Sequence, residues 1–345
     1  MSALTWKQQA IKAAAATIVL LAVVAAGGAW LWHDRPPLDA TGWPAPPAPG
    51  ENNASVTVTW LGVTTLLFDD GTTQILIDGY FSRPRLRDVL LRRPIANDAA
   101  TINYALHEFG MRQLAAIIPV HSHFDHAMDV GAIAKRTRAS ILGSESTANI
   151  ALGAGVPEDQ IVVAERDQTY EFGDFRVRLL PSRHAPISWR GSAPLPGTID
   201  EPLAAPQPVN AWREGGSYSI VIEHPQGTTV VQGSAGFVQG ALNGVSADNV
   251  MLGIGGLTTL DADYAERYWQ ETVTTTGASR VYPIHFDDLV TPFGEISASP
   301  RFLGNLEKAT KWLDGFRNKW DRDAQLFLPR FGEPIALYAS SSSST

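Results

Sequence analysis

Residues 121–129 read HSHFDHAMD and follow the apolar run LAAIIPV at 114–120. Three of the chain's eight histidines fall in this window. The short apolar run predicts a buried strand, and AMDVGAIAKRTRA (127–139) predicts a helix behind it. His121 and His123, two residues apart at the end of an extended segment, point to one side and can grip one ion. Asp125 and His126 lie where the chain turns into the helix and can address a second point, so two metals about 3.5–4 Å apart suit the spacing. Such sites need ligands from elsewhere in the chain. His184 in LLPSRHAP and His285 in VYPIHFDD each follow an apolar, strand-like run, which places both on the rim where strands end. His33, His107 and His224 fall beside the N-terminal apolar run, in a predicted helix and in the EHPQG turn, and read as surface or packing positions.

Composition narrows the chemistry. With 345 residues, 44% of them hydrophobic, the chain can bury a full core as one large domain or two small ones. A net charge of −8 argues against a nucleic-acid surface, and no lysine and arginine cluster of that kind is expected. Zero cysteines exclude disulfides, thiolate ligands and a cysteine nucleophile. Any metal must be held by nitrogen and oxygen, a donor set that suits zinc but also admits iron or manganese.

The N-terminus is a different material. Residues 13–32 carry no charge, and at about 1.5 Å per residue such a helix crosses a hydrocarbon core of about 30 Å. Lys7 and Lys12 precede it, so the remainder is expected outside the cytoplasm, in the periplasm of a Gram-negative cell. A cleaved signal peptide is the alternative, with small residues at 25–29 for a peptidase. The expected organisation is an anchor or signal segment at 1–33, a stiff proline-rich linker at 34–54, a folded domain at 55–338 and a disordered tail at 339–345. Within the domain, SVTVTWLGV, TTLLFDD and TQILIDGYF predict a strand meander, and later strands alternate with helices at 261–276 and 300–316. This pattern suggests two packed sheets with helices outside.

At His121, His123, Asp125 and His126 the chain matches the HxHxDH signature of the metallo-β-lactamase fold superfamily, and it resembles that superfamily from about Ser55 to Leu337. The stretches TWLGVTTLLF, ILIDGYFSRP, PSRH, AWREGGSYSIVIE, GSAGF and PIHFDD are similar in order to the branch containing N-acylphosphatidylethanolamine phospholipase D and ascorbate-6-phosphate lactonase. The resemblance implies an α+β, four-layer αββα sandwich behind one N-terminal transmembrane helix. It implies that His121, His123 and His184 hold a first Zn(2+), that Asp125, His126 and His285 hold a second, and that Asp78 orients a ligand from behind. Asp125 and His126 would also serve catalysis. The implied reaction is hydrolysis by metal-activated water of an ester, lactone or phosphodiester, in a small-molecule or lipid substrate. A β-lactam hydrolase or a non-catalytic metal-binding scaffold is the alternative reading.

Two positions depart from that branch. Ser234 in GSAGF stands where a metal-bridging aspartate is usual, so two zincs are expected and one is possible; a subclass of metallo-β-lactamases shares this serine. Val63 stands where lipase- and lactonase-type relatives often carry histidine. The proline-rich segment after His184 carries Trp189, Arg190, Trp212 and Arg213, and is expected to line or cover the substrate cleft. The oligomeric state is not legible.

Overall fold

The uncharged N-terminal run is helical. In the computed structural model, which describes residues 5–50, 56–188 and 190–338, α1 (Trp6–His33) buries none of its residues and is long and apolar enough to cross a membrane. The segment after α1 departs from the free tether expected of a proline-rich linker. Arg35 forms a 2.7 Å ion pair with Asp288 and donates to the Ala298 carbonyl at 2.8 Å. Arg301 reaches Asp34 at 3.1 Å, and the amides of Leu328 and Ala336 donate to the carbonyls of Pro44 and Pro47. Leu38 and Trp43 supply the reason, because both pack against the main core and gain by leaving water. Residues 34–47 thus belong to the folded unit; 51–55 and the expected tail at 339–345 lie outside the described residues.

The Asp288 side chain is only 6% exposed, so Arg35→Ala should cost on the order of 3 kcal/mol by leaving that carboxylate without its cation. A lower melting temperature of the full-length chain in detergent is the expected reading, with the exposed Asp39→Ala as an unchanged control.

The meander forms as expected: β1 (Thr57–Trp60), β2 (Leu66–Asp69) and β3 (Gln74–Ile77) pair antiparallel. After α2 (Leu86–Leu90), the short β4 (Pro94–Ile95) and α3 (Ala99–Glu108), the chain returns as β5 (Leu114–Ile118), parallel to β3. Then come α4 (Phe124–Ala127), α5 (Val130–Thr137), β6 (Ser140–Gly143), α6 (Glu145–Gly153) and β7 (Ile161–Val163). The second half contributes β8 (Tyr170–Phe172), β9 (Phe175–Ser182), β10 (Gln207–Pro208, paired with β4), β11 (Ser217–His224), β12 (Gly227–Gln232) and β13 (Asn249–Gly253). It closes with α7 (Ala262–Trp269), β14 (Arg280–Ile284), α8 (Leu306–Trp320), β15 (Gln325–Leu326) and β16 (Pro334–Ala336).

Two seven-stranded sheets result, in the orders β16-β1-β2-β3-β5-β6-β7 and β15-β14-β13-β12-β11-β9-β8. Strand alternation sorts the first sheet's side chains to two cores. Ile75 and Ile77 join one cluster while Leu76 joins the other, and Ile118 and Ile117 divide the same way. The first cluster fills the space between the sheets and takes in Trp269 of α7 and Leu313 of α8; the second packs the outer face of the first sheet against Ile102, Ile133 and Ile150 of α3, α5 and α6. This is the four-layer αββα sandwich expected from the sequence. One helix boundary differs: α8 begins at Leu306 rather than 300, because the Asn305 side chain caps it by accepting the Lys308 amide at 3.0 Å. Asp261 caps α7 as expected, accepting the Tyr264 amide.

Candidate metal centre

The carboxyl ends of β3, β5, β9, β12 and β14 lead directly to Asp78, His121, His184, Ser234 and His285. His123 is the N-cap of α4, so Asp125 and His126 sit in that helix's first turn. The backbone is held in unusual shapes here: Val63, Asp78 and His285 all have positive φ, at 51°, 58° and 58°. A β-branched residue there is strained. The surroundings hold it, since the Val63 amide donates to both Asp287 carboxylate oxygens at 2.9 Å and the Val63 carbonyl accepts the His285 amide at 3.0 Å. Stored strain of this kind gathers at functional sites.

Two triads form. The ligand atoms of His121, His123 and His184 lie within 4.8 Å of one another, as do those of Asp125, His126 and His285. His121 Nε2 faces His123 Nδ1 at 3.0 Å, and Asp125 Oδ2 lies 3.3 Å from His126 Nε2 and 3.6 Å from His285 Nε2. The His121 and His126 rings, with centroids 3.9 Å apart, join the two groups.

Behind them, Asp78 accepts His126 Nδ1–H at 2.7 Å and the Val120 amide at 2.8 Å. His184 Nδ1 meets the Ala185 carbonyl at 2.8 Å. Both contacts fix the tautomer so that Nε2 carries the lone pair. The His126 Nε2 lone pair then faces the Asp125 carboxylate, and no described donor lies between them. A divalent cation satisfies this set of acceptors. Without one, the proton takes its place: burial opposes the charge on His126, but Asp125 and Asp78 prevail and hold it up to about 10. Burial also presses His123 and His285 down to about 3, which keeps both neutral and ready as ligands. Burial alone would raise Asp125, yet His126 and the neighbouring histidines hold it well below the carboxylate range.

All six predicted ligands and Asp78 come together. Ser234 is buried beside them and its Oγ accepts the Ala185 amide at 3.0 Å, so it pins the turn that carries His184. One cleft expectation needs correction. Trp212 is 1% exposed and belongs to the core under the helical layer, among residues such as Ile150 and Ile199. Arg213 is exposed and donates to the Pro196 carbonyl of its own loop at 3.1 Å. Trp189 lies outside the described residues. Trp212→Ala should therefore act through packing, costing about 3–5 kcal/mol of stability, seen as a lower denaturation midpoint. The loop does reach the site by another residue, for the Leu195 carbonyl faces the His123 ring. Of the remaining histidines, His107 and His33 are exposed, and His224 packs against Phe175.

Two carboxylates escaped the sequence reading. Asp129, last of the opening nine residues, is fully buried and accepts the Phe81 and Ser82 amides, tying α5 to the turn after Asp78. Glu214 accepts the His184 amide at 3.2 Å and the Ser217 hydroxyl at 2.8 Å, while its carbonyl accepts the Ser122 amide. Asp129 carried a signal in its place within the motif; Glu214 carried none.

The model of the metallo-beta-lactamase superfamily matches residues 58–274. The chain belongs to that superfamily. Among curated proteins it is similar to a UPF0173 metal-dependent hydrolase of Heliobacterium modesticaldum, 32% identical over 127 residues, covering 37% of this chain and 44% of the relative. A UPF0173 metal-dependent hydrolase of Pyrobaculum islandicum is 30% identical over 122 residues, covering 34% and 45%. The matched region thus spans less than half the length of these relatives. Among solved structures, an isothiocyanate hydrolase from Delia radicum gut bacteria aligns with a TM-score of 0.49 at 16% identity, covering 82% of this chain and all of that one. Igni18, a metallo hydrolase from Ignicoccus hospitalis, aligns at 0.47 and 17%, covering 81% and 97%.

Proposed function

We propose that the chain is a metal-dependent hydrolase, anchored in a membrane by α1, with its domain outside the cytoplasm and an ester, lactone or phosphodiester as its target. The single observation behind this reading is the pair of adjoining triads, in each of which three ligand atoms converge within 4.8 Å, with His126 Nε2 left without a hydrogen-bond partner. His121, His123 and His184 would hold one Zn(2+) and Asp125, His126 and His285 another. Bound divalent metals lower the pKa of water to about 7 and polarise a substrate oxygen.

The chain's own residues supply the remainder. Asp125, kept ionised by the surrounding histidines, contributes the one negative charge of the two triads and orients water on their shared side. Asp78 fixes the direction of His126 Nε2. Ser234 in place of a bridging carboxylate leaves the centre more electropositive, which strengthens its pull on a carbonyl or phosphoryl oxygen. The same serine favours a second reading, hydrolysis of a β-lactam amide.

Purified full-length protein should contain transition metal and lose turnover on chelation, with recovery on adding Zn(2+). A panel of nitrocefin, simple lactones and bis-p-nitrophenyl phosphate separates the bond types. Bound metal without turnover on any of them supports a scaffold instead; iron or manganese giving the higher recovery reassigns the metal.

A further inference from the structure

The acidic balance of the chain conceals a basic stretch that the expectation of no arginine cluster passed over. Residues 83–93, RPRLRDVLLRR, hold five arginines against one aspartate in a chain of net charge −8. Within it Leu90 and Leu91 are 69% and 62% exposed; outside α1, no other large apolar side chain among those described as exposed matches them. Arg85, Arg87, Arg92 and Arg93 are exposed around the pair. Asp88 is shared loosely between Arg87 and Arg93, at 3.6 and 3.7 Å. Single exposed leucines are ordinary, but an adjacent pair ringed by arginines has the composition of a membrane-surface contact.

Position narrows the occupant. The loop after His285 is gripped by both the anchor and this stretch. Arg35, two residues past α1, pairs with Asp288. The Tyr80 hydroxyl donates to the Leu289 carbonyl at 2.9 Å, and the Arg83 guanidinium lies over the Tyr80 ring. Gly62 lies against both Arg83 and Asp287, where a Cβ would stand 2.6 Å from the guanidinium and 3.1 Å from the carboxylate. On the anchor's side, Arg301 holds Asp34 and is followed by Phe302 and Leu303, 50% and 47% exposed. The end of the apolar helix, the Arg301 turn and the loop after His285 are thus tied together at one end of the molecule, and Tyr80 and Arg83 tie the start of the arginine stretch to the same loop.

We propose that this end lies on an anionic phospholipid surface, with Leu90, Leu91, Phe302 and Leu303 at the headgroup boundary and the arginines against lipid phosphates. The rim of the metal centre then sits beside the leaflet. The proposal rests on α1 as a membrane anchor, and the test separates the two.

The chain has no cysteine, so single-cysteine variants can be labelled cleanly. Full-length Leu91→Cys carrying a bimane probe is reconstituted into vesicles of phosphatidylcholine alone or mixed with phosphatidylglycerol, each with nitroxide-labelled lipid. Val23→Cys in α1 marks the bilayer, and Asp174→Cys, in the β8–β9 turn at the opposite end of the second sheet, marks solvent. The expected result is strong quenching at position 91 in anionic vesicles, falling toward the Asp174 level in neutral vesicles or when Arg92→Glu and Arg93→Glu are added. Quenching at 91 no greater than at 174, with position 23 quenched, overturns the proposal and leaves the anchor standing. Quenching at 91 indifferent to lipid charge and to the glutamates overturns the anionic surface. No quenching at 23 overturns the anchor reading itself. Disulfide-linked dimers of the unlabelled Leu91→Cys protein on air oxidation in detergent, with no lipid response of the labelled protein, make a second copy the occupant and also overturn it.

Discussion

Replacing Asp125 with alanine is expected to abolish measurable hydrolysis and to lower metal content, with a loss well beyond the roughly 10–100-fold that a merely supporting partner of a ligand costs. The reason is charge. Five of the six grouped side chains are imidazoles, and Asp125 alone brings a negative charge. It lies within 3.6 Å of both His126 and His285, so its removal leaves two neutral nitrogens to hold a dication. Asp125→Asn keeps the shape without the charge and should fall between the two in metal content. Stoichiometry by elemental analysis, alongside kcat/KM on the best substrate of the panel, checks this. Full metal content and turnover in the alanine variant would remove Asp125 from the centre.

The second large effect concerns protons. In the metal-free protein His126 is held protonated up to about 10 by Asp125 and Asp78, against a burial that opposes charge. Its pKa is raised on folding, so the stability its ion pairs contribute is fully present below the unfolded value of about 6.5. That contribution is lost as pH rises through about 10. A metal takes the same Nε2 lone pair, so uptake at neutral pH must expel that proton. His123 and His285, at about 3, have none to give there. Titration of apo protein with Zn(2+) in buffers of different ionisation enthalpy should therefore show about one proton released per second-site metal, and affinity should climb with pH across the neutral range. Asp78→Ala should reduce that release and weaken the second metal about 10–100-fold. No buffer dependence in the parent protein would contradict the assignment of His126.

The six candidate ligands were legible because their information is local. A two-residue spacing behind an apolar strand, and histidines at the ends of two later strands, follow from strand geometry without any knowledge of contacts. The meander was legible for a similar reason, since its short runs rich in β-branched and aromatic residues are divided by turn chemistry such as DDGTT. The docked segment at 34–47 was not. Its prolines and small residues read as a linker, and what holds it is a pair between Arg35 and Asp288 far along the chain. Trp212 misled in the opposite way: a tryptophan beside an arginine in a long loop suggests a binding surface, whereas here it is the loop's anchor in the core. The left-handed backbone at Val63, Asp78 and His285 left no trace, because strain imposed by tertiary contacts brings no glycine to announce it. The arginines at 83–93 were in plain view but were diluted by the acidic remainder when the charge was summed.

The central claim is that two adjoining groups of side chains each hold a divalent cation, and diffraction data from crystals of the full-length protein collected above and below a metal absorption edge test it most directly. The expected result is anomalous density within coordination distance of His121, His123 and His184, and a second peak against Asp125, His126 and His285. A clean map at both positions, from protein purified without chelator and supplied with zinc, would contradict it.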